Sequence, residues 1–166
     1  MVLRVCAAIC GAAILSSSAM AKVRTVDKST AASRQGACDM GATIIGTASM
    51  YDPFQPGDDE GGIQTSFGEL YDPIAWTAAI QIDLRETFGG VRHGKDYRPA
   101  YALVEVANKR AIIKINDVGP LQPGRVIDFN KQTMRYFDPT LERGLVHGVK
   151  ITLLPGDGWS TGPISG

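Results

Sequence analysis

Short alternating and apolar runs fill the chain between about residues 42 and 154 and predict β-strands. The runs that predict strands are residues 43–51, 101–106, 111–115, 125–129 and 149–154. Two of them are separated by only the four residues 107–110, which predicts a β-hairpin. Glycine and proline are frequent between the runs, as is typical of tight turns.

Two short helices are predicted among these strands. One covers residues 84–88, with Asp83 as its N-cap and Gly89 at its end. The other covers residues 131–137 behind the N-cap Asn130. Many short strands with one or two small helices predict an all-β fold, either a small barrel or a sandwich.

The two ends of the chain have a different character. Residues 1–21 have the pattern of a signal peptide: Arg4 is followed by an apolar stretch at residues 5–15 and by a small-x-small site that ends at Ala21. The apolar stretch is shorter than the roughly 18–20 residues that span a bilayer, although an uncleaved anchor is the alternative. A flexible leader (residues 22–41), one domain (42–154) and a disordered tail (155–166) follow. We expect a periplasmic or secreted monomer.

Charge and cysteine content exclude several classes of function. Cleavage after Ala21 leaves 16 Lys and Arg against 17 Asp and Glu, and no basic stripe is visible. Nucleic acid and membrane surfaces are therefore not expected partners. Cys38 is the one cysteine left after cleavage, so it is either a surface thiol or half of an intermolecular disulfide. Two widely separated histidines give no metal-ligand spacing, and no cofactor is expected.

Two carboxylates stand at predicted strand ends, on either side of one tight loop. Asp117 follows the run at 111–115 and precedes Gly119 and Pro120, and Asp128 follows a second apolar run. Glycine and proline there predict a turn that brings the two acids onto one concave surface. Such a pair suits acid/base chemistry on an uncharged polar substrate such as a glycan.

Four segments, in order, resemble the RlpA-like (rare lipoprotein A) family. They are GTASMY at 46–51, TSFGELYD at 65–72 followed by AWTAA at 75–79, KINDVGP at 114–120 and GRVID at 124–128. The resemblance implies a six-stranded double-psi β-barrel, which that family shares with expansins and barwin-like proteins. It also implies a lytic transglycosylase that cleaves peptidoglycan strands lacking stem peptides and leaves 1,6-anhydromuramic acid ends.

The resemblance also implies roles for individual residues. Asp117 matches the catalytic aspartate of the family, and Glu69 matches an acid used in activity. Asp72 and Asp128 match acids used in substrate binding or wall loosening, while Tyr51 and Tyr71 are candidates for stacking on sugars, with Trp76 as a further aromatic.

Ordinary structural roles compete with these assignments. Asp117 can bond turn N–H groups, Glu69 and Asp72 can be solvated loop charges, and Asp128 can pair with Arg125 or position the following helix.

One position departs from the family pattern. Active members carry a histidine after the Thr-Ala-Ala stretch, where this chain has Ile80. The chain also has an insertion at residues 81–99 that contains His93, a candidate substitute for that histidine. Ile80 therefore puts catalysis, though not the fold, in question.

Two other classes of function compete with the enzyme. An expansin-like barrel would bind and loosen wall glycans through Asp128 and aromatic stacking without cutting them. A barwin-type inhibitor or defence module is the third class, but such proteins normally carry several disulfides, and this chain keeps a single cysteine.

Overall fold

The computed structural model describes residues 41–55, 62–89 and 100–165. Within these ranges the chain forms seven strands and one α-helix. The strands are β1 (Thr43–Tyr51), β2 (Thr77–Gln81), β3 (Ala100–Val106), β4 (Lys109–Gly119), β5 (Arg125–Asn130), β6 (Leu145–Leu153) and β7 (Gly162–Pro163), and the helix is α1 (Lys131–Phe137). The predicted signal peptide, most of the leader, and His93 lie outside the described residues. No helix in the described part is both long and apolar enough to cross a membrane.

Six of the strands close into a barrel. Their order is β2-β5-β1-β6-β3-β4, and a further pairing of β4 with β2 completes the ring. The pairs β1–β5 and β2–β4 are parallel, whereas the other pairs in the ring are antiparallel. The predicted all-β class is confirmed as a six-stranded double-psi β-barrel.

The barrel interior is filled by apolar side chains from every strand of the ring. Its fully buried members include Ala48, Ile80, Val104, Ile113, Ile115, Ile127, Phe129, Val149 and Ile151. Met134 of α1 and Phe88 add to this core from outside the strands. Because burial of the apolar side chains is favourable, the apolar face of each strand points into the barrel and the opposite face points toward solvent.

Each parallel pair contains one shift in register. In β4 the shift skips Asn116, since Ala78 pairs with Ile115 and Ala79 pairs with Asp117. In β5 it skips Val126, since Thr47 pairs with Arg125 and Ala48 pairs with Ile127. An extra residue of this kind changes the phase of the side chains that precede it relative to those that follow. Both shifts lie next to the candidate site.

Several local predictions need correction. Strand β4 does not end at Ile115 but continues through Asp117 to Gly119, because β2 pairs with it as far as Gly119. The positive φ in this region falls at Gly124 (84°) and not at Gly119.

The first predicted helix is a 3-10 turn at Ile82–Leu84 followed by a π-helical turn at Arg85–Gly89, and its N-cap is Gln81 instead of Asp83. By contrast, Asn130 caps α1 as expected, accepting from Gln132 N.

The C-terminal segment also differs from the disordered tail that we predicted. Gly162 and Pro163 form β7, which pairs with Ile112 and Ala111 of β4. Ile164 N then donates to Arg110 O at 2.9 Å. Backbone hydrogen bonds to a barrel strand hold this segment in place even though its glycine and proline content is typical of a loose end.

Candidate functional site

The two aspartates predicted to converge lie on either side of one small residue. Ala79 of β2 pairs with Asp117 of β4 on one side and with Asp128 of β5 on the other. Paired residues point to the same face of a sheet, and adjacent strands lie about 4.8 Å apart, so the two Cα atoms are about 10 Å apart. Both carboxylates therefore face the same outer groove, with the short side chain of Ala79 as its floor.

The shift in β4 is the reason that Asp117 faces outward. Ile113 and Ile115 point into the core, and strict alternation would send residue 117 the same way. Because Asn116 is skipped in the pairing, Asp117 turns outward and Val118 packs against the core instead. Bulges next to active sites commonly aim a side chain in this way.

Three hydrogen bonds orient the Asp117 carboxylate, and all of them end on Oδ1. Ser66 donates from its backbone N at 2.8 Å and from Oγ at 2.6 Å, and Val118 N donates at 2.8 Å. Among the described residues none donates to Oδ2. Asp117 thus bonds one turn N–H group, that of Ser66, and one strand N–H group, that of Val118, but with only one of its oxygens.

Asp128 accepts a hydrogen bond from Ser49 Oγ. Ser49 is buried and is the partner of Asp128 in the β1–β5 register. In the described part of the chain, Asp128 forms no ion pair with Arg125, and Asn130 rather than Asp128 caps α1.

Glu69 belongs to a second polar cluster. Its carboxylate pairs with Lys114 Nζ and accepts from Asn116 Nδ2 at 2.8 Å. Burial by itself would raise the pKa of Glu69, but the hydrogen bonds from Lys114 and Asn116 and the charge of Lys114 together lower it below its ordinary value. Glu69 is therefore a carboxylate at neutral pH, which suits a base or an electrostatic role better than a general acid.

The predicted stacking residues Tyr51 and Tyr71 contact each other. Their rings meet edge to face at 5.7 Å, and the Tyr71 hydroxyl donates to Tyr51 O at 3.0 Å and accepts from Lys131 N at 3.3 Å. Burial is the main cause that raises the pKa of Tyr71 to about 12. Tyr71 follows an isolated bridge at Leu70 and is not part of a strand.

Asp72 is exposed, and its carboxylate caps a local turn. Its Oδ1 accepts from Ile74 N at 3.0 Å, and its backbone O accepts from Asn130 Nδ2 at 2.5 Å. This is the turn-forming use of aspartate. Asp72 nevertheless lines the groove, in the same hollow as Glu69.

Two connected hollows form the groove. A cleft of about 10 Å³ is lined by Asp117, Asp128 and Tyr51. A larger hollow of about 480 Å³ is lined by Glu69, Asp72 and Trp76. Tyr71, Thr65, Thr77 and Asn116 line both of them. The larger hollow, beside Glu69, has room for a sugar ring.

Ile80 does not reach this groove. It is fully buried, belongs to the core, and pairs with Val118 and Ile127, which also face inward. In this register a side chain at position 80 points away from the outer face that carries Asp117. A histidine at position 80 of this chain would therefore point into the core and not toward the carboxylates of the groove.

Sequence reasoning missed three residues of the site: Ser66, Lys114 and Asn116. Ser66 lies within the TSFGELYD segment, but its contact with Asp117 joins residues 51 positions apart. The alternation of the sequence does indicate that Lys114 points outward, since it lies between Ile113 and Ile115, which are buried.

Across the described ranges no three His, Cys, Asp or Glu side chains gather as a metal site would require.

Comparisons with known proteins agree with this architecture. No family model matches the chain. The endolytic peptidoglycan transglycosylase RlpA of Yersinia pestis is 38% identical over 89 residues, which is 52% of this chain and 20% of that protein. With the closed barrel, this match decides the type of domain. The barrel is an RlpA-like domain.

Each of these matches covers only part of the proteins compared. This chain spans about a fifth of the length of the Yersinia RlpA protein. The Streptomyces papain inhibitor superimposes with a TM-score of 0.51 at 17% identity, covering 71% of this chain and 99% of that one. At that identity the likeness shows the fold alone.

Proposed function

We propose that this RlpA-like domain is an exported lytic transglycosylase that cleaves peptidoglycan strands lacking stem peptides and leaves 1,6-anhydromuramic acid ends. The observation that carries the proposal is the outward placement of Asp117 in a groove, with Oδ1 held by Ser66 and Val118. The Yersinia RlpA protein, an endolytic peptidoglycan transglycosylase by name, supports the same reaction class. The predicted signal peptide supports export.

In the proposed reaction Asp117 acts twice. Its protonated carboxyl group gives a proton to the glycosidic oxygen as the bond between that oxygen and the anomeric carbon breaks. The C6 hydroxyl of the same muramoyl residue then bonds to the anomeric carbon and returns its proton to Asp117. No water is consumed, because the nucleophile is part of the substrate. Orientation by three donors keeps Oδ2 of Asp117 toward the bond that is cleaved.

The other groups of the site have binding and electrostatic roles in this proposal. Glu69, ionised and paired with Lys114, supplies a fixed polar wall beside the large hollow. Tyr51 and Tyr71 form an aromatic corner, and Asp72 and Asp128 offer acceptors to sugar hydroxyls. Asp117 with Glu69 thus remains the proposed catalytic pair, with the proton transfers assigned to Asp117.

Digestion of purified peptidoglycan tests the proposal. The protein is incubated with intact sacculi and with amidase-stripped glycan, and the products are analysed by mass spectrometry. We expect anhydro-ended fragments from the stripped glycan and none when Asp117→Asn is used. That variant keeps an acceptor for Ser66 and Val118, so it controls for folding. Anhydro products at the parent rate from Asp117→Asn would reject the assignment.

A non-catalytic glycan-binding barrel is the second candidate. The observation that favours it is the set of large apolar side chains exposed near the groove: Leu70 is 69% exposed and Ile74 is 74% exposed. Such a rim can bind the apolar faces of sugar rings without cleaving the glycan. Binding of stripped glycan with no anhydro product from the parent protein would select this function over the enzyme.

A further inference from the structure

The outer face that carries Asp128 continues along β5 and β1 to Arg125. Thr47 and Ser49 are two residues apart on β1, so their side chains share a face. Thr47 pairs with Arg125, and Ser49 pairs with Asp128. Arg125 and Asp128 therefore also share that face, despite their odd spacing, because the register shift skips Val126. Two residues of strand separate their rows by about 7 Å.

Arg125 lines a hollow of its own next to the groove. This hollow has a volume of about 510 Å³, and Thr47 and His147 also line it. Thr47 Oγ1 and His147 Nδ1 lie 3.0 Å apart, so the wall is polar and ordered. The Arg125 side chain is half-buried, and within the described ranges no carboxylate or carbonyl oxygen accepts a hydrogen bond from it. A half-buried guanidinium with open donors is suited to bind an anion.

The substrate of the proposed function carries such an anion. In intact peptidoglycan the lactyl group of each muramoyl residue is joined to the stem peptide through a neutral amide. Removal of the peptide leaves a free carboxylate there, one for each disaccharide. A guanidinium binds a carboxylate through two parallel hydrogen bonds and gains nothing comparable from an amide.

We propose that Arg125 binds the free lactyl carboxylate of a muramoyl residue next to the one held at Asp117. Arg125 is then a specificity-determining residue that recognises strands lacking stem peptides by the carboxylate at the lactyl position. This inference rests on the proposed function for the identity of the glycan, but it concerns binding and requires no cleavage.

The test measures binding in the Asp117→Asn background, so that no ligand is consumed. Three ligands are compared: stripped glycan fragments, the same fragments with their lactyl carboxylates coupled to methylamine, and peptide-bearing fragments. We expect Arg125→Gln to weaken binding of the stripped fragments about 10- to 100-fold. Binding of the methylamide and of the peptide-bearing fragments should not change.

Two further variants complete the design. Arg135→Gln removes an exposed arginine of α1 that lines neither this hollow nor the groove, and it should leave all three affinities unchanged. Arg125→Lys keeps the charge without the fork and should restore part of the discrimination, which also shows that the effect is not misfolding. Equal weakening for all three ligands, an effect confined to peptide-bearing fragments, or no effect would each overturn the proposal.

The two proposals fail in different ways. If the parent protein yields no anhydro ends but binds stripped glycan through Arg125, the catalytic proposal is wrong and the Arg125 assignment stands. If anhydro ends form and Arg125→Gln leaves the preference for stripped glycan unchanged, the Arg125 assignment is wrong and the catalytic proposal stands.

Discussion

Replacing Ile80 by histidine restores the residue found at this position in active members of the family that the chain resembles. In this barrel the side chain at position 80 is fully buried between Val118 and Ile127 and lies among the apolar side chains of the core. We therefore expect Ile80→His to destabilise the domain and to leave turnover per folded molecule no higher than that of the parent.

The magnitude follows from two terms. Loss of the buried isoleucine side chain costs about 1.5–3 kcal/mol. An imidazole buried without hydrogen-bond partners costs about 1–3 kcal/mol more. The sum, about 2.5–6 kcal/mol, is a large share of the about 5–15 kcal/mol that stabilises a typical domain. It corresponds to a fall of roughly 10 °C or more in Tm for a domain of this size.

Urea unfolding of the parent, Ile80→His and the conservative control Ile80→Val measures this difference. The control should cost about 0.5–1.5 kcal/mol, since it removes one methylene group without adding polarity. Turnover on stripped glycan is measured in parallel at a temperature where all three are folded. If Ile80→His were as stable as Ile80→Val and faster than the parent, position 80 would reach the groove and the inward strand phase would be wrong.

The remaining predictions concern the carboxylate clusters and one close contact in the barrel. Ser66→Ala removes the hydroxyl group that donates to Asp117 at 2.6 Å but keeps both backbone donors. Steady-state kinetics should therefore show kcat about 5- to 30-fold lower with KM nearly unchanged. A loss of activity as large as that of Asp117→Asn would instead make Ser66 a reactant. The pair of Glu69 with Lys114 stabilises the fold above the ordinary carboxyl pKa of 4.5 and stops doing so as pH falls through the lowered folded-state pKa. The difference in unfolding free energy between the parent and Lys114→Gln should therefore be greatest above about pH 5 and shrink toward pH 3, and a difference independent of pH would contradict this. Gly46→Ala places a methyl group 2.4 Å from a side-chain carbon of β5 and should cost about 1–3 kcal/mol in urea unfolding, whereas an unchanged midpoint would show that β5 yields freely.

The parts of the fold that the sequence predicted depend on local signals. The run at residues 43–51, which begins with β-branched and apolar residues, predicted β1 with its observed bounds, and the hydrogen-bonding side chain of Asn130 predicted the start of α1. The C-terminal pairing of β7 was not predictable in this way, because Gly162 and Pro163 carry no strand propensity and are held by a distant strand.

The sequence predicted that Asp117 and Asp128 share one surface, but it did not predict the pairings and contacts that place the acids of the site. Asp117 and Asp128 do meet on one surface, but through strand pairing to Ala79 and not through the loop between them. The register shift at Asn116 sets the direction of Asp117, and no feature of the local sequence marks it. The contact of Glu69 with Lys114 likewise joins residues 45 positions apart, which only the closed barrel brings together.

Digestion of stripped glycan in heavy-oxygen water tests the proposed chemistry most directly. If Asp117 directs attack by the C6 hydroxyl of the substrate, mass spectrometry will show anhydro ends that carry no heavy oxygen, and Asp117→Asn will abolish them. Reducing ends labelled with heavy oxygen would show that water is the nucleophile, and unlabelled, uncut glycan bound to the protein would show a binder. Either result would contradict a lytic transglycosylase.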